Sequence, residues 1–209
     1  MKKLIWKLLN IIGIGPWIQL AVRSELKENG WYKSFIEKKP INLKGEPIPW
    51  LTYAFIDFIK PRLHRDMIMF EYGCGNSTLW FASLVKHIDS VEHEEGWFRE
   101  ISSKVPSNVQ IYFKSLETNE YEQSVMLTPY FYDVILVDGR KRLECVQCAV
   151  QKLSDNGVII VDNSECYPEI FDFLRYLGFK EISFWGILPV IPLKSCTTIF
   201  YKSDNCLDI

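Results

Sequence analysis

The sequence predicts an α/β fold: a doubly wound, seven-stranded, mainly parallel sheet preceded by a helical N-terminal extension. Three observations predict it. From about residue 67 onward, short apolar runs alternate with stretches of helical spacing. One run, Met67-Ile68-Met69-Phe70, passes through Glu71-Tyr72-Gly73-Cys74-Gly75-Asn76-Ser77-Thr78 into the helical stretch Leu79–Val85, with glycines where the backbone must turn sharply. Another, Val134-Ile135-Leu136-Val137, is continuously apolar, as a strand buried on both faces must be.

The composition sets the frame. The 209 residues are 48% hydrophobic and 24% charged, enough to bury one ample core and unlike a disordered chain. A formal charge of −2 argues against a protein that coats nucleic acid. We divide the chain into a helical extension, 1–62, and a domain, 63–209. The six cysteines (Cys74, Cys145, Cys148, Cys166, Cys196, Cys206) are few for this length and lie mostly in or beside core segments. They read as reduced thiols of a cytoplasmic protein. Cys145-x-x-Cys148 has neither a second cysteine pair nor a nearby histidine, so it reads as helix packing.

In chain order, Leu4, Ile5, Leu8, Leu9 and Ile12 share one helical face, with Lys3, Lys7 and Asn10 opposite. Gly13, Gly15 and Pro16 break this helix before the apolar run Trp17–Val22. Lys7 and the break leave too short an apolar length for a membrane span, and no small-x-small cleavage site follows. Two placements stay open for residues 1–22: docked on the protein's own core, or lying on a membrane surface. A polar stretch follows to Lys44. Trp50–Ile59 is then expected as a helix, with Pro49 in its first turn and Pro61 as its stop. Further strands are expected at His87–Glu92, Asn108–Phe113, Tyr132–Gly139, Gly157–Asn163, Lys180–Ile187 and Thr197–Tyr201. Between them the helices are Trp97–Lys104, Glu120–Leu127, Leu143–Leu153 and Pro168–Leu177.

In such a sheet the ligand lies beyond the carboxyl ends of the strands, where strand order reverses. Each central strand ends there in a polar residue: Glu71, Glu92, Asp138 and Asp162-Asn163. A single one is ordinarily a solvated loop carboxylate. Four at equivalent places repel one another unless a cation or hydroxyl groups engage them. Glu71 disfavours a pyrophosphate and favours a ligand with a cationic near end, such as the ammonium and sulfonium of S-adenosylmethionine. Thr78 stands where a dinucleotide fingerprint has its third glycine. Glu92, about twenty residues past the turn, is placed to accept both hydroxyls of a ribose.

These residues together resemble class I S-adenosylmethionine-dependent methyltransferases. The matching motifs are Glu71-x-Gly73-x-Gly75, Ser90-Val91-Glu92, Asp133–Gly139 and Gly157–Asn163, and the similarity runs from about Met67 to Tyr201. The resemblance implies a last strand inserted antiparallel, Gly73 and Gly75 against the methionine part of the cofactor, Glu71 at its amino end and Glu92 on its ribose. Ser77 and Thr78 become helix-start contacts, and Asp138 is read as cofactor-binding. Asp138 is also the leading candidate for general base, with His93 second. A narrower similarity links Asp138 with Asp162-Asn163 to the Mg²⁺ triad of catechol- and caffeoyl-CoA-type O-methyltransferases, although Asp138-Gly139-Arg140 departs from their pattern. The other reading has Asp138 serving cofactor or acceptor directly while Asn163 caps the turn. Arg140 and Asn163 are candidate acceptor contacts, with Arg140 preferred over Arg142 for an anionic group.

The activity implied is methyl transfer to an oxygen of a small molecule or glycan. No nucleic-acid partner is expected: the charge balance is acidic, and Asp138-Gly139-Arg140-Lys141 replaces the Asn/Asp-Pro-Pro-aromatic tetrapeptide of DNA amino-methylating enzymes. Two alternatives are a cofactor-binding module without chemistry and, disfavoured by Glu71, an NAD(P)-dependent oxidoreductase.

Overall fold

The structure is a computed structural model that describes residues 2–209. Four helices open the chain: α1 (Lys2–Ile11), α2 (Gly15–Val22), α3 (Glu25–Glu28) and α4 (Trp31–Glu37). After α5 (Tyr53–Ile59) come β1 (Ile68–Tyr72), α6 (Asn76–Ala82), β2 (His87–Glu92), α7 (Glu95–Ser102), β3 (Val109–Phe113) and α8 (Glu120–Gln123). The chain continues through β4 (Tyr132–Val137), α9 (Arg142–Ala149), β5 (Leu153–Asp162), α10 (Pro168–Tyr176), β6 (Lys180–Ile187) and β7 (Lys194–Tyr201).

All seven strands form one sheet in the order β3-β2-β1-β4-β5-β7-β6. The first five are parallel neighbours, and β7 inserts antiparallel between β5 and β6. Strand order reverses between β1 and β4, which opens the crevice of a doubly wound sheet at their carboxyl ends.

The apolar run of β4 explains how the sheet is covered. Val134 and Leu136 enter one core cluster with Leu51, Phe55, Ile59 and Phe81, whereas Ile135 and Val137 enter the opposite one with Tyr121, Val146, Ile170 and Leu174. Side chains alternate across a strand, so both faces must be apolar when helices cover both. Since α5 supplies Phe55, Ile56 and Ile59 to the first cluster, this helix, which precedes residue 62, is part of the domain's core.

Several elements differ from expectation at their ends. Helix α5 begins after Thr52, so Pro49 precedes it, and Pro61 lies inside a 3₁₀ turn, Lys60–Arg62, which continues the helix. Residues Ser124–Leu127 form a 3₁₀ turn after α8. Helix α9 stops at Ala149, and Leu153 opens β5 beside Tyr132, with a register shift before Val134 meets Val158. Leu153 was read with the helix because its apolar side chain suits either partner, and only the long-range pairing decides.

Helices α1 and α2 do not dock on the core. No residue of α1 is buried, and Gly15 is the only buried residue of α2. All six cysteines are free, and Cys145-x-x-Cys148 lies within α9 as expected.

Candidate active site

The turn after β1 is held from inside. Gly73 adopts φ 90°, a left-handed conformation that suits glycine, and its N–H donates to Val91 O at 2.8 Å. A Cβ on Gly73 would come within 3.4 Å of Gly139 Cα, so the turns after β1 and β4 meet backbone to backbone. At Gly139 a Cβ would overlap the Tyr121 hydroxyl and stand 3.2 Å from the Tyr72 carbonyl carbon. These glycines form a cradle closed by protein atoms, bringing the ends of β1 and β4 together at the switch point, where a sheet of this kind binds its cofactor.

Glu71 is buried and does not face that cradle. Ser77 Oγ and Thr78 Oγ1 donate to its two oxygens, and Gly75 N–H donates to Thr78 Oγ1 at 2.9 Å. Burial raises the Glu71 carboxyl to about 7, the two hydroxyls pull it partly back, and Glu92 adds to the rise. Glu71, Ser77 and Thr78, expected as direct contacts, therefore build the turn from within. Thr78 occupies the third-glycine position because its hydroxyl closes this network.

Glu92 ends β2 with its carboxylate turned back to the turn. It accepts from Cys74 N at 3.2 Å, His93 N at 2.7 Å and Glu94 N at 2.8 Å. Its neighbours do not compete for the position: Glu94 caps α7 through Gly96 N and Trp97 N, and Glu95 pairs with Arg99 at the surface. His93 Nδ1 lies 3.0 Å from Glu92 Oε1, and the imidazole meets the Tyr121 ring edge-on. His93 is thus placed beside Glu92 rather than in the cavity described next. Trp97, read only as a helix start, donates from Nε1 to Cys74 O at 2.6 Å and packs its ring over Gly75. Its closeness in sequence to Glu92 was the available signal.

Beyond β4 and β5 lies a cavity of about 380 Å³ lined by Trp50, Asp138, Asp162, Asn163, Leu188 and Ile191. Its apolar wall comes from far along the chain. Trp31 Nε1 donates to Leu188 O at 3.1 Å and ties the β6–β7 connection to α4, while Asn76 Nδ2 donates to Pro40 O at 2.8 Å and ties the same N-terminal segment to the glycine turn.

The floor of the cavity is organised by Arg142. Its Nη2 donates to Asp138 Oδ1 at 3.1 Å and Asn163 Oδ1 at 3.2 Å, Nη1 donates to Asp162 O, and Nε donates to Gly139 O at 3.1 Å. The rigid fork of a guanidinium suits this many acceptors at once. Arg140, preferred from the sequence, is exposed, and the buried arginine is Arg142. The two lie two residues apart on a turn entering a helix, so sequence alone did not tell which points inward.

The metal triad does not fit. Arg142 bridges Asp138 and Asn163 where a divalent ion would need their oxygens. Asp162 Oδ1 accepts from Thr197 Oγ1 at 2.7 Å, and Asn163 Nδ2 donates to Ser195 Oγ at 2.9 Å. Burial raises Asp162 to about 6 against the opposing pull of Thr197 and Arg142. Burial and the neighbouring Asp162 push Asp138 well above the usual carboxylate range, and Arg142 opposes them.

No family profile and no curated protein matches this sequence. Solved structures do match its fold. A precorrin-6y C5,15-methyltransferase from Geobacter metallireducens aligns over 72% of this chain and 87% of its own, at 16% identity and TM-score 0.57. A methyltransferase-like protein from Silicibacter pomeroyi aligns over 74% and 89%, at 20% identity and TM-score 0.54. The fold is that of class I methyltransferases. An rRNA methylase from Streptococcus thermophilus shares it over 70% of this chain and 93% of its own, at 14% identity and TM-score 0.53. At these identities the likeness concerns the fold, with the antiparallel β7 the resemblance implied.

Proposed function

We propose that this protein is an S-adenosylmethionine-dependent methyltransferase acting on an oxygen of a small-molecule or glycan acceptor. The observation that carries the reading is the backbone contact between Gly73 and Gly139, which joins the glycine cradle to the cavity holding Asp138. When bound, the cofactor supplies an electrophilic methyl group on a sulfonium.

The chain's own residues then have distinct tasks. Gly73 and Gly75 leave room for the methionine part, and Glu92 offers its carboxylate to the ribose hydroxyls. Trp50, Leu188 and Ile191 shield the reacting oxygen from water and position it for an in-line attack. Asp138, which lines the cavity and is held by Arg142, accepts the acceptor's proton. Arg142 holds Asp138, and Asn163, bonded to the same guanidinium, shapes the floor. The apolar wall and modest volume of the cavity favour a compact acceptor over an extended nucleic acid.

Incubation with methyl-labelled cofactor and a library of hydroxylated acceptors tests the reading. Label should appear in an acceptor, and EDTA should leave the rate unchanged. Cofactor binding without transfer to any acceptor would favour a binding module. Transfer to rRNA alone would overturn the small-acceptor assignment.

A further inference from the structure

The first two helices form a built corner that carries an uncovered apolar surface. Gly13, at φ 75°, receives the end of α1, with Gly13 N donating to Asn10 O at 3.1 Å and Ile14 N to Leu9 O at 3.0 Å. Gly15 lets the chain pass against the Asn10 side chain, where a Cβ would overlap the amide. The two arms, Lys2–Ile11 and Gly15–Glu28, bend by 112°. Such a defined turn is a feature of an ordered element.

What the corner presents is apolar and basic. Leu4, Leu8, Ile11, Trp17 and Val22 are each 59–74% exposed, and Ile5, Ile12 and Ile14 are also open to solvent. An exposed run of this kind marks an interaction surface. Every charged residue between 2 and 24 is positive (Lys2, Lys3, Lys7, Arg23), within a chain whose formal charge is −2. Lys3, Lys7 and Asn10 form the polar stripe of α1, and Leu4, Leu8 and Ile11 the apolar one. Trp6 and Trp17 suit a boundary between hydrocarbon and water, where an indole has one apolar body and one polar N–H.

We propose that residues 2–23 seat the protein on an anionic lipid bilayer surface, with the apolar stripe in the headgroup boundary and the lysines over it. No single helix among the described residues is long and apolar enough to cross a membrane; the 112° bend and Lys7 divide the apolar length of the pair, which suits a place in the interface. Charge selects the occupant. A second copy of this surface would bring four positive charges against four, whereas anionic headgroups complement them. The corner leads through α3 directly to α4, whose Trp31 holds the cavity's Leu188–Ile191 wall.

Flotation of the full-length protein with vesicles tests this directly. Vesicles of phosphatidylcholine with about a third phosphatidylglycerol should bind at least about tenfold more strongly than phosphatidylcholine alone, and binding should weaken as salt rises. The substitutions Leu8→Glu and Trp17→Glu, both at exposed positions, should abolish flotation while leaving the melting temperature unchanged. Lys3→Glu with Lys7→Glu should remove the preference for anionic vesicles. Absence of flotation with anionic vesicles, or flotation indifferent to Leu8→Glu, would overturn the proposal. A concentration-dependent dimer dispersed by Leu8→Glu, without vesicle binding, would assign the surface to a second copy instead.

Discussion

The two halves of the strand-end rim solve the same problem with different partners. At β1 and β2, buried Glu71 and Glu92 are held by groups close in sequence: Ser77 and Thr78 for the first, Cys74 and the amides of His93 and Glu94 for the second. At β4 and β5, Asp138 and Asp162 are held by Arg142, by Thr197 from β7, and by a wall from Trp50, Leu188 and Ile191. The first half is a local turn whose shape is set before any acceptor arrives. The second is assembled from distant segments. A cofactor common to many reactions suits the former, and an acceptor pocket peculiar to one suits the latter.

Breaking the cavity half should have the largest effects. Asp138→Asn keeps an acceptor for Arg142 but removes the proton-accepting carboxylate, so turnover should fall by about 10²–10⁴-fold with cofactor affinity nearly unchanged. Single-turnover rates beside cofactor titration separate the two. Arg142→Met should cost about 3–5 kcal/mol in denaturant unfolding, because it leaves the half-buried Asp138 carboxylate and four carbonyl or amide oxygens without their donor. Arg142→Lys should recover little of this, since an ammonium lacks the planar fork.

Both halves should respond to pH. The carboxyls of Glu71 and Asp162 are raised in the folded chain, to about 7 and about 6. The folded state therefore binds more protons than the unfolded one between their ordinary values and these. Their contribution to stability is full below about pH 4 and is lost as pH rises to 7. Acting alone, Glu71 should account for a decline on the order of 3 kcal/mol. Glu71→Gln should flatten that slope in melts recorded from pH 4.5 to 7.5. A slope identical to the parent's would assign the pH dependence elsewhere.

The smallest effect is expected at the seam between the halves. Gly139→Ala should destabilise by about 1–3 kcal/mol through overpacking against Tyr121 and Tyr72. Adding Tyr121→Phe should restore part of it by removing the overlapping hydroxyl.

The same contrast explains how much the sequence revealed. Strands β2 and β6 were legible to the residue because polar or turn-forming residues mark their ends, His93-Glu94 after β2, Gly178 before β6 and Pro189 after it. The four strand-end carboxylates were legible for the same reason. Their partners were legible only when local: Thr78 was noticed as the missing glycine, although its bond to Glu71 was not foreseen. Thr197 and Trp50 reach the site through sheet topology, as Arg142 reaches Asp162 and Asn163 at the end of neighbouring β5, and no spacing along the chain announces that. The Mg²⁺ triad was inferred from three oxygen-bearing residues at the right strand ends, and the arginine between them changes what those oxygens can do. The amphipathic pattern of residues 4–12 was visible, but whether protein covers it was a question for the structure.

The central claim is that the joined cradle and cavity are built for S-adenosylmethionine. Thermal denaturation with S-adenosylmethionine, S-adenosylhomocysteine and NAD, on the parent chain and on Glu92→Gln, tests it most directly. The first two ligands should raise the parent's melting temperature, with a smaller rise in Glu92→Gln, and NAD should not. Stabilisation by NAD alone would contradict the account.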